Sequence, residues 1–258
     1  MSSPPSRLYH PEGFASGERL TLGPEASHHA LRVLRLGVDD PIVLFDGQGR
    51  RAQARVIAAS GKRLEVEVEA CMQAGTESPL ALGLAQALPG GDKMDWVVEK
   101  AVELGVAVIQ PLSSRRSVLR LDAERAEKRR AHWQRIAIAA CMQCGRDVVP
   151  RIEALRPIEA FLTQEVPSLR TLPAPTPIAG RLLLSPQDGI EAQDLAPPGA
   201  DGLWLLVGPE GGLDDSETRQ AKVCGWQALR LGPRVLRAET AGMVAAAVLQ
   251  ARFGDLGG

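Results

Sequence analysis

From Leu80 onward, short apolar runs alternate with longer stretches of helical periodicity, and no other feature constrains the fold as tightly. LALGLAQAL (80–88), VAVIQPL (106–112), RLLLSP (181–186), LWLLVGPEGG (203–212) and ALRLG (228–232) read as buried strands. Asp95–Leu104, Ala123–Cys144, 214–224 and 238–252 read as helices. Strands without a polar face, interleaved with helices, predict an α/β domain with a largely parallel sheet covered on both sides. The proline-rich VPSLRTLPAPTPIAG (166–180) reads as loop, because proline cannot donate to a sheet ladder.

Residues 1–75 follow a different rhythm. Short runs at Arg19–Leu22, Pro41–Asp46, Ala52–Ala58 and Arg63–Ala70 are strand-like, and LEVEVEA alternates with period two. DGQGR (46–50) is turn chemistry. One helix interrupts the strands, opening near Pro24, exposing an apolar face through Ala30, Leu31, Val33, Leu34 and Leu36, and ending at Gly37. A compact barrel of about five or six strands would close such a unit. AGTESP (74–79) reads as a linker, which divides the chain into 1–75 and 76–258.

Composition matters chiefly for what it excludes. With 258 residues, 45% hydrophobic and 24% charged, the chain can bury a real core. Charges break every apolar run short of a membrane span, and MSSPPSRLYHPEG lacks the layout of a secretory signal, so the expected location is cytoplasmic. Cys71, Cys141, Cys144 and Cys224 are expected to be free thiols. Cys141 and Cys144 have CxxC spacing, but no second pair or histidine completes a zinc site, so no metal is expected. The net charge is −1, yet 115–135 carries eight basic residues against three acidic ones. That cluster is either a phosphate-binding stripe or a solvated helix face.

Two segments carry the chemistry. In LWLLVGPEGGLDDSE (203–217) an apolar strand runs straight into Gly208-Pro209-Glu210-Gly211-Gly212, and Asp214, Asp215 or Ser216 caps the helix that follows. Ligands of open α/β sheets sit beyond the carboxyl ends of strands, and glycines let backbone groups approach them. The spacing fits neither a dinucleotide fingerprint nor a triphosphate loop. LRLGPRVLRAETA (229–241) repeats the logic, setting Arg234, Arg237, Glu239 and Thr240 before an almost wholly apolar helix. Polar groups there are costly unless paired or functional, and an Arg237–Glu239 ion pair is the structural alternative.

GPEGG followed by LGPRVLRAETA resembles the cofactor-binding signature of the SPOUT methyltransferases. Within them the chain is most similar to the RsmE family, the 16S ribosomal RNA uridine N3-methyltransferases. HHALRVLRL (28–36) and VLFDGQGR (43–50) are similar to that family's PUA-like RNA-binding barrel. KMDWVVEKAVELGV (93–106), PLSSRRSV (111–118) and QCGRDVVPRI (143–152) resemble its domain-linking and catalytic motifs. Two departures are visible: Met142 stands where the family often has Glu, and the opening Arg-aromatic-aromatic pattern is Arg7-Leu8-Tyr9.

The resemblance implies an N-terminal PUA-like β-barrel and a C-terminal SPOUT α/β domain with a deep trefoil knot, acting as a homodimer. It implies S-adenosylmethionine held by Leu184, Ser185 and Pro186, by Val207, Gly208, Pro209, Glu210, Gly211 and Gly212, and by Leu231, Gly232, Val235, Leu236, Arg237 and Thr240. In that frame backbone groups of Gly208, Gly211 and Leu231 read adenine and ribose, and Leu184, Val235 and Leu236 form apolar walls. Methyl transfer to uracil N3 must remove or offset a proton, for which Arg237, Arg116 and Arg146 are electrostatic candidates and Glu210 the candidate base. Expected RNA contacts are Arg7, Arg32, Arg35, Arg115, Arg116 and Arg120, with few aromatic platforms for stacked bases. The rival readings are a non-catalytic RNA-binding or ribosome-assembly factor and a related knotted transfer-RNA methyltransferase.

Overall fold

A computed structural model describes residues 5–73, 75–163, 169, 180–199 and 201–257. Most of the proline-rich segment 166–180 therefore lies outside the described residues. The chain divides into two compact units, Met1–Glu77 with Ile138–Val149, and Ser78–Ala137 with Pro150–Gly258. The division predicted at 75/76 is thus close along the chain but incomplete, because 138–149 joins the first unit.

The first unit holds β1 (Ser6–Tyr9), β2 (Arg19–Thr21), α1 (Pro24–His28), β3 (Pro41–Phe45), β4 (Arg50–Ser60) and β5 (Arg63–Gln73). The strands form one sheet ordered β1-β3-β4-β5-β2, with β1 parallel to β3 and the other pairs antiparallel. Register shifts between Gln53/Ala54 and Val56/Ala58 let the long β4–β5 hairpin bend. Alternate residues such as Leu44, Ala52, Ala54, Val56, Leu64 and Val66 form its core with Leu8 and Phe14. The helix opening at Pro24 continues as a π-helical turn, His29–Val33, and stops before Gly37. Arg35, in the left-handed region at φ 57, turns the chain instead, and Leu36 N–H reaches back to Ala30 O at 3.0 Å.

In the same unit a buried ion cluster ties 138–149 to the strands. Asp147, fully buried, accepts from Arg7 Nη2 at 2.5 Å and lies 3.6 Å from Arg51 Nη1. Arg7 also donates to Arg146 O at 2.9 Å and lies over the Phe45 ring. Arg146 is itself buried and paired with Glu77 at 2.7 Å. Both side chains expected to act on RNA or substrate are thus tied up here: Arg7 through Nη2 to Asp147 and Arg146 O, and Arg146, buried, to Glu77. Burial similarly pushes the Cys141 thiol up to about 12, as an inert structural cysteine should be.

The second unit begins with β6 (Leu82–Ala87), α2 (Lys93–Glu103) and β7 (Val106–Ser113). Then come α3 (Ala123–Cys144), β8 (Arg151–Ile152), β9 (Arg156–Pro157), α4 (Ile158–Thr163), β10 (Gly180–Leu184) and β11 (Ile190–Glu191). It closes with β12 (Leu203–Val207), α5 (Asp215–Val223), β13 (Gln227–Arg230) and α6 (Ala238–Phe253). The sheet is parallel, ordered β11-β13-β10-β12-β6-β7-β8, with β9 beside β7. Beginning at β12, the chain crosses back past β10 to reach β13. Phe161, Trp204 and Trp226 stack tilted or edge-on in the core. A Cβ at Gly242 would lie 3.1 Å from Leu84 and 3.3 Å from Val207, so glycine allows α6 to press onto β6 and β12.

Candidate active site

β10, β12 and β13 are parallel neighbours, so their carboxyl ends open at one end of the sheet, where a ligand crevice belongs. A cavity of about 970 Å³ lies there, within the second unit. Its lining includes Leu184, Ser185 and Pro186 from the end of β10 onward, Val207 to Gly212 from the end of β12 onward, and Leu231, Gly232, Val235, Leu236 and Arg237 before α6. The three predicted loops are therefore brought together. Thr240 is the exception: it sits in the first turn of α6, its N–H donating to Arg237 O, and does not line the cavity.

Local chemistry builds each wall. After β12, Gly212 N–H donates to Pro209 O at 2.8 Å, and φ 68 at Gly212 closes a turn that favours glycine. Asp214 then caps α5. Its Oδ1 accepts from Glu217 N–H at 2.7 Å, while Glu217 Oε2 accepts from Asp214 N–H at 2.8 Å. These hydrogen bonds, the Glu217 N–H first and then Ser216, hold Asp214 down at about 2. Glu217 is fully buried, and its Oε1 accepts from Arg115 N–H at 2.8 Å, tying the loop after β7 to α5. Arg116 reaches over to donate to Gly211 O at 3.0 Å and Leu213 O at 3.3 Å. Arg115 is held near Glu159 and Asp214, each at 3.3 Å, and Arg120 donates to Arg115 O at 3.4 Å.

Four carboxylates line the cavity: Asp188, Glu210, Asp215 and Glu239. Asp188 accepts from Lys222 at 2.7 Å and Ser185 at 2.6 Å, and those bonds, Lys222's first, lower its pKa. Glu210 Oε1 accepts from Lys93 Nζ and from Gly90 N–H, each at 2.9 Å. Partial burial raises the Glu210 carboxyl, but the Lys93 ammonium and the N–H donors outweigh it, and the net shift is down. Lys93 also pairs with Glu239 at 3.5 Å. Glu239 thus pairs with Lys93 rather than with Arg237, the structural alternative, and Arg237 is exposed at the N-terminus of α6.

In the sequence Lys93 stands inside KMDWVVEKAVELGV with nothing to mark it, and its place here follows from β12 pairing with β6, Val207 opposite Gln86. No periodicity could have shown it. Glu239 was visible in the LRAETA segment, but its partner was not.

The lining suits S-adenosylmethionine. The cavity falls within the size range of small-molecule sites and mixes apolar walls with a few convergent charges. A Cβ on Gly212 or Gly232, both lining residues, would meet nothing within 4 Å, so the room beside these turns is available to a ligand. Carboxylates can face the cofactor's cationic groups, and Arg234 and Arg237 its carboxylate.

Comparison with known proteins agrees with this geometry. An RNA methyltransferase domain model matches residues 76–250, and an RNA methyltransferase PUA domain model matches residues 22–69. Fold and site together define an RNA methyltransferase with an N-terminal PUA-like domain and a C-terminal SPOUT-type α/β domain. A small-subunit ribosomal RNA methyltransferase E from Neisseria gonorrhoeae, solved with S-adenosyl methionine, is 36% identical with TM-score 0.87, covering 98% of this chain and 99% of that one. A methyltransferase from Legionella pneumophila, also solved with the cofactor, is 34% identical with TM-score 0.89, covering 98% and 100%. The Synechocystis ribosomal RNA small subunit methyltransferase E is 33% identical over 90% of this chain and 73% of its own length. The chain belongs to that family, RsmE, of the SPOUT superfamily, and is an S-adenosylmethionine-dependent ribosomal RNA methyltransferase.

Proposed function

We propose that this protein methylates N3 of one uridine in 16S ribosomal RNA, in the cytoplasm, as a homodimer. The observation that carries the reading is the cavity at the carboxyl ends of β10, β12 and β13, built from the segments that resemble the family's cofactor signature. When bound there, S-adenosylmethionine supplies a methyl group made electrophilic by its sulfonium, so the transfer needs no metal. Gly208 to Gly212 and Leu231 to Leu236 would hold it, and Arg116 braces the first of these turns through the Gly211 and Leu213 carbonyls. Arg237, exposed beside the cavity, offers a guanidinium to the oxygens of an ionising uracil. The homodimer reading is supported by the partly exposed Val244 and Val248, which line a groove of about 390 Å³ on α6.

Ribosomal RNA from cells lacking this protein should be missing one N3-methyluridine in the small subunit, measured by mass spectrometry of digested RNA. A mark lost from transfer RNA instead would favour the knotted transfer-RNA enzyme, and no lost mark the non-catalytic reading.

For RNA contact the exposed Arg32 and Arg35 stand out, both carried by the π-helical turn and its left-handed exit. Neither is tied to a carboxylate among the described residues, unlike Arg7 and Arg115. The Arg32→Ala/Arg35→Ala variant should bind RNA more weakly and lower the salt slope by about 0.7 per lost phosphate contact. A salt titration with an unchanged slope would shift the RNA surface to the basic stretch 115–135.

A further inference from the structure

We propose that Glu239 is the group that takes the N3 proton, with Lys93 as its positioning residue. This rests on the uridine N3 reading above. The reaction must dispose of one proton, and the cavity's four carboxylates differ sharply in their freedom to accept it. Asp188 and Glu210 are each held by an ammonium group and a second donor. Asp215 is exposed to water. Glu239 has its Oε1 side tethered by Lys93 at 3.5 Å, while its Oε2 is buried and has no hydrogen-bond partner among the described residues.

A buried carboxylate oxygen without a donor is costly to leave unsatisfied. Glu239 stands in the first turn of α6 among the residues lining the cavity, with its side chain 14% exposed, so a turn of the carboxyl group would bring this shielded oxygen to a substrate N–H. The other charges lining the cavity are Glu210 from the glycine turn, Asp188 after β10, Asp215 and Lys222 on α5, Arg234 and Arg237 from the loop before α6, and Arg116 from the loop after β7. Lys93 bridges Glu239 and Glu210, so the tether on Oε1 shares its ammonium with the glycine turn.

The step balances. The uracil N3–H bond breaks and its proton passes to Glu239 Oε2. The N3 electron pair forms the new N–CH₃ bond, and the S–CH₃ bond breaks with its electrons retained by sulfur, giving N3-methyluridine and S-adenosylhomocysteine. The proton then leaves to solvent.

The test is Glu239→Gln, which keeps shape and removes basicity, in single-turnover methylation of an RNA fragment at saturating cofactor across neutral to alkaline pH. The rate at neutral pH should fall at least about 100-fold, the usual scale for a general base. The deficit should shrink as pH rises, because uracil then ionises without help. Cofactor affinity by calorimetry and the melting temperature should stay close to wild type. Glu239→Asp, which restores a carboxylate, should recover at least about tenfold over the glutamine variant. A neutral-pH rate within about threefold of wild type would overturn the assignment. So would a deficit that is the same at every pH, or a loss of cofactor affinity with turnover at saturation intact. Aspartate doing no better than glutamine would also overturn it. Nucleoside analysis of the wild-type product separates the two readings: without N3-methyluridine both fall, whereas its presence with an unimpaired glutamine variant sinks Glu239 alone.

Discussion

Replacing Gly208 by valine is expected to weaken S-adenosylmethionine binding by at least about 100-fold, close to 2.7 kcal/mol. A Cβ at this position would fall 2.9 Å from Leu213 N, 3.2 Å from Gly212 C and 3.3 Å from Gly212 Cα. All three are backbone atoms of the same turn, so no side chain can swing aside. The turn would have to open, and it carries Glu210 towards Lys93 and presents the Gly211 carbonyl to Arg116. Gly211, the glycine whose replacement by valine the sequence reading expects to weaken binding at least about tenfold, has different surroundings. Its Cβ would meet only Arg116, at 3.5 and 3.6 Å, an ordinary contact, and its backbone is not left-handed. Gly211→Ala should therefore keep its affinity within about threefold. Calorimetry on both variants checks the contrast, and a tight Gly208→Val would show that the turn is not part of the cofactor wall.

Asp147→Ala is expected to cost the first unit about 3–5 kcal/mol of stability, the range for removing one partner from a buried ion pair. The carboxylate has no exposure and meets Arg7 at 2.5 Å and Arg51 at 3.6 Å. Without it the Arg7 guanidinium, whose side chain is 14% exposed, is left with Arg146 O and the Phe45 ring as partners. The loss should appear as a lower denaturation midpoint in urea, and a change below about 1 kcal/mol would mean that solvent or Arg51 rearranges to take up the charge. Because Arg7 is engaged in this way, Arg7→Ala should also act on folding first and on RNA affinity only through it.

The contrast between Arg7 and Glu210 shows where sequence reasoning succeeds and where it stops. The α3 limits, Ala123–Cys144, agree with the helix read from periodicity, and the strand, glycine turn and cap of 203–217 lie where the motif put them. β1 was missed, because SRLY is four residues long, follows two prolines and offers only one fully buried apolar side chain, Leu8. The transfer of 138–149 to the first unit was missed too, since a continuous helix gives no local sign that its last turns group with a different core.

Helices, strands, caps and turns are settled among residues a few places apart, where hydrogen bonding and side-chain periodicity act directly. The amino-acid order therefore already determined the two kinds of domain, the positions of most elements and the three loops that line the cavity. Partnerships among charges are settled by sheet order. Lys93 meets Glu210 and Glu239 because β12 pairs with β6, and Asp147 meets Arg7 across 140 positions of sequence. An arginine or glutamate looks the same in a sequence whether folding buries it beside a counter-charge or shields one oxygen without a donor. Only the tertiary structure chose between those states, because the cost of a buried charge depends on what the rest of the chain brings within about 4 Å of it.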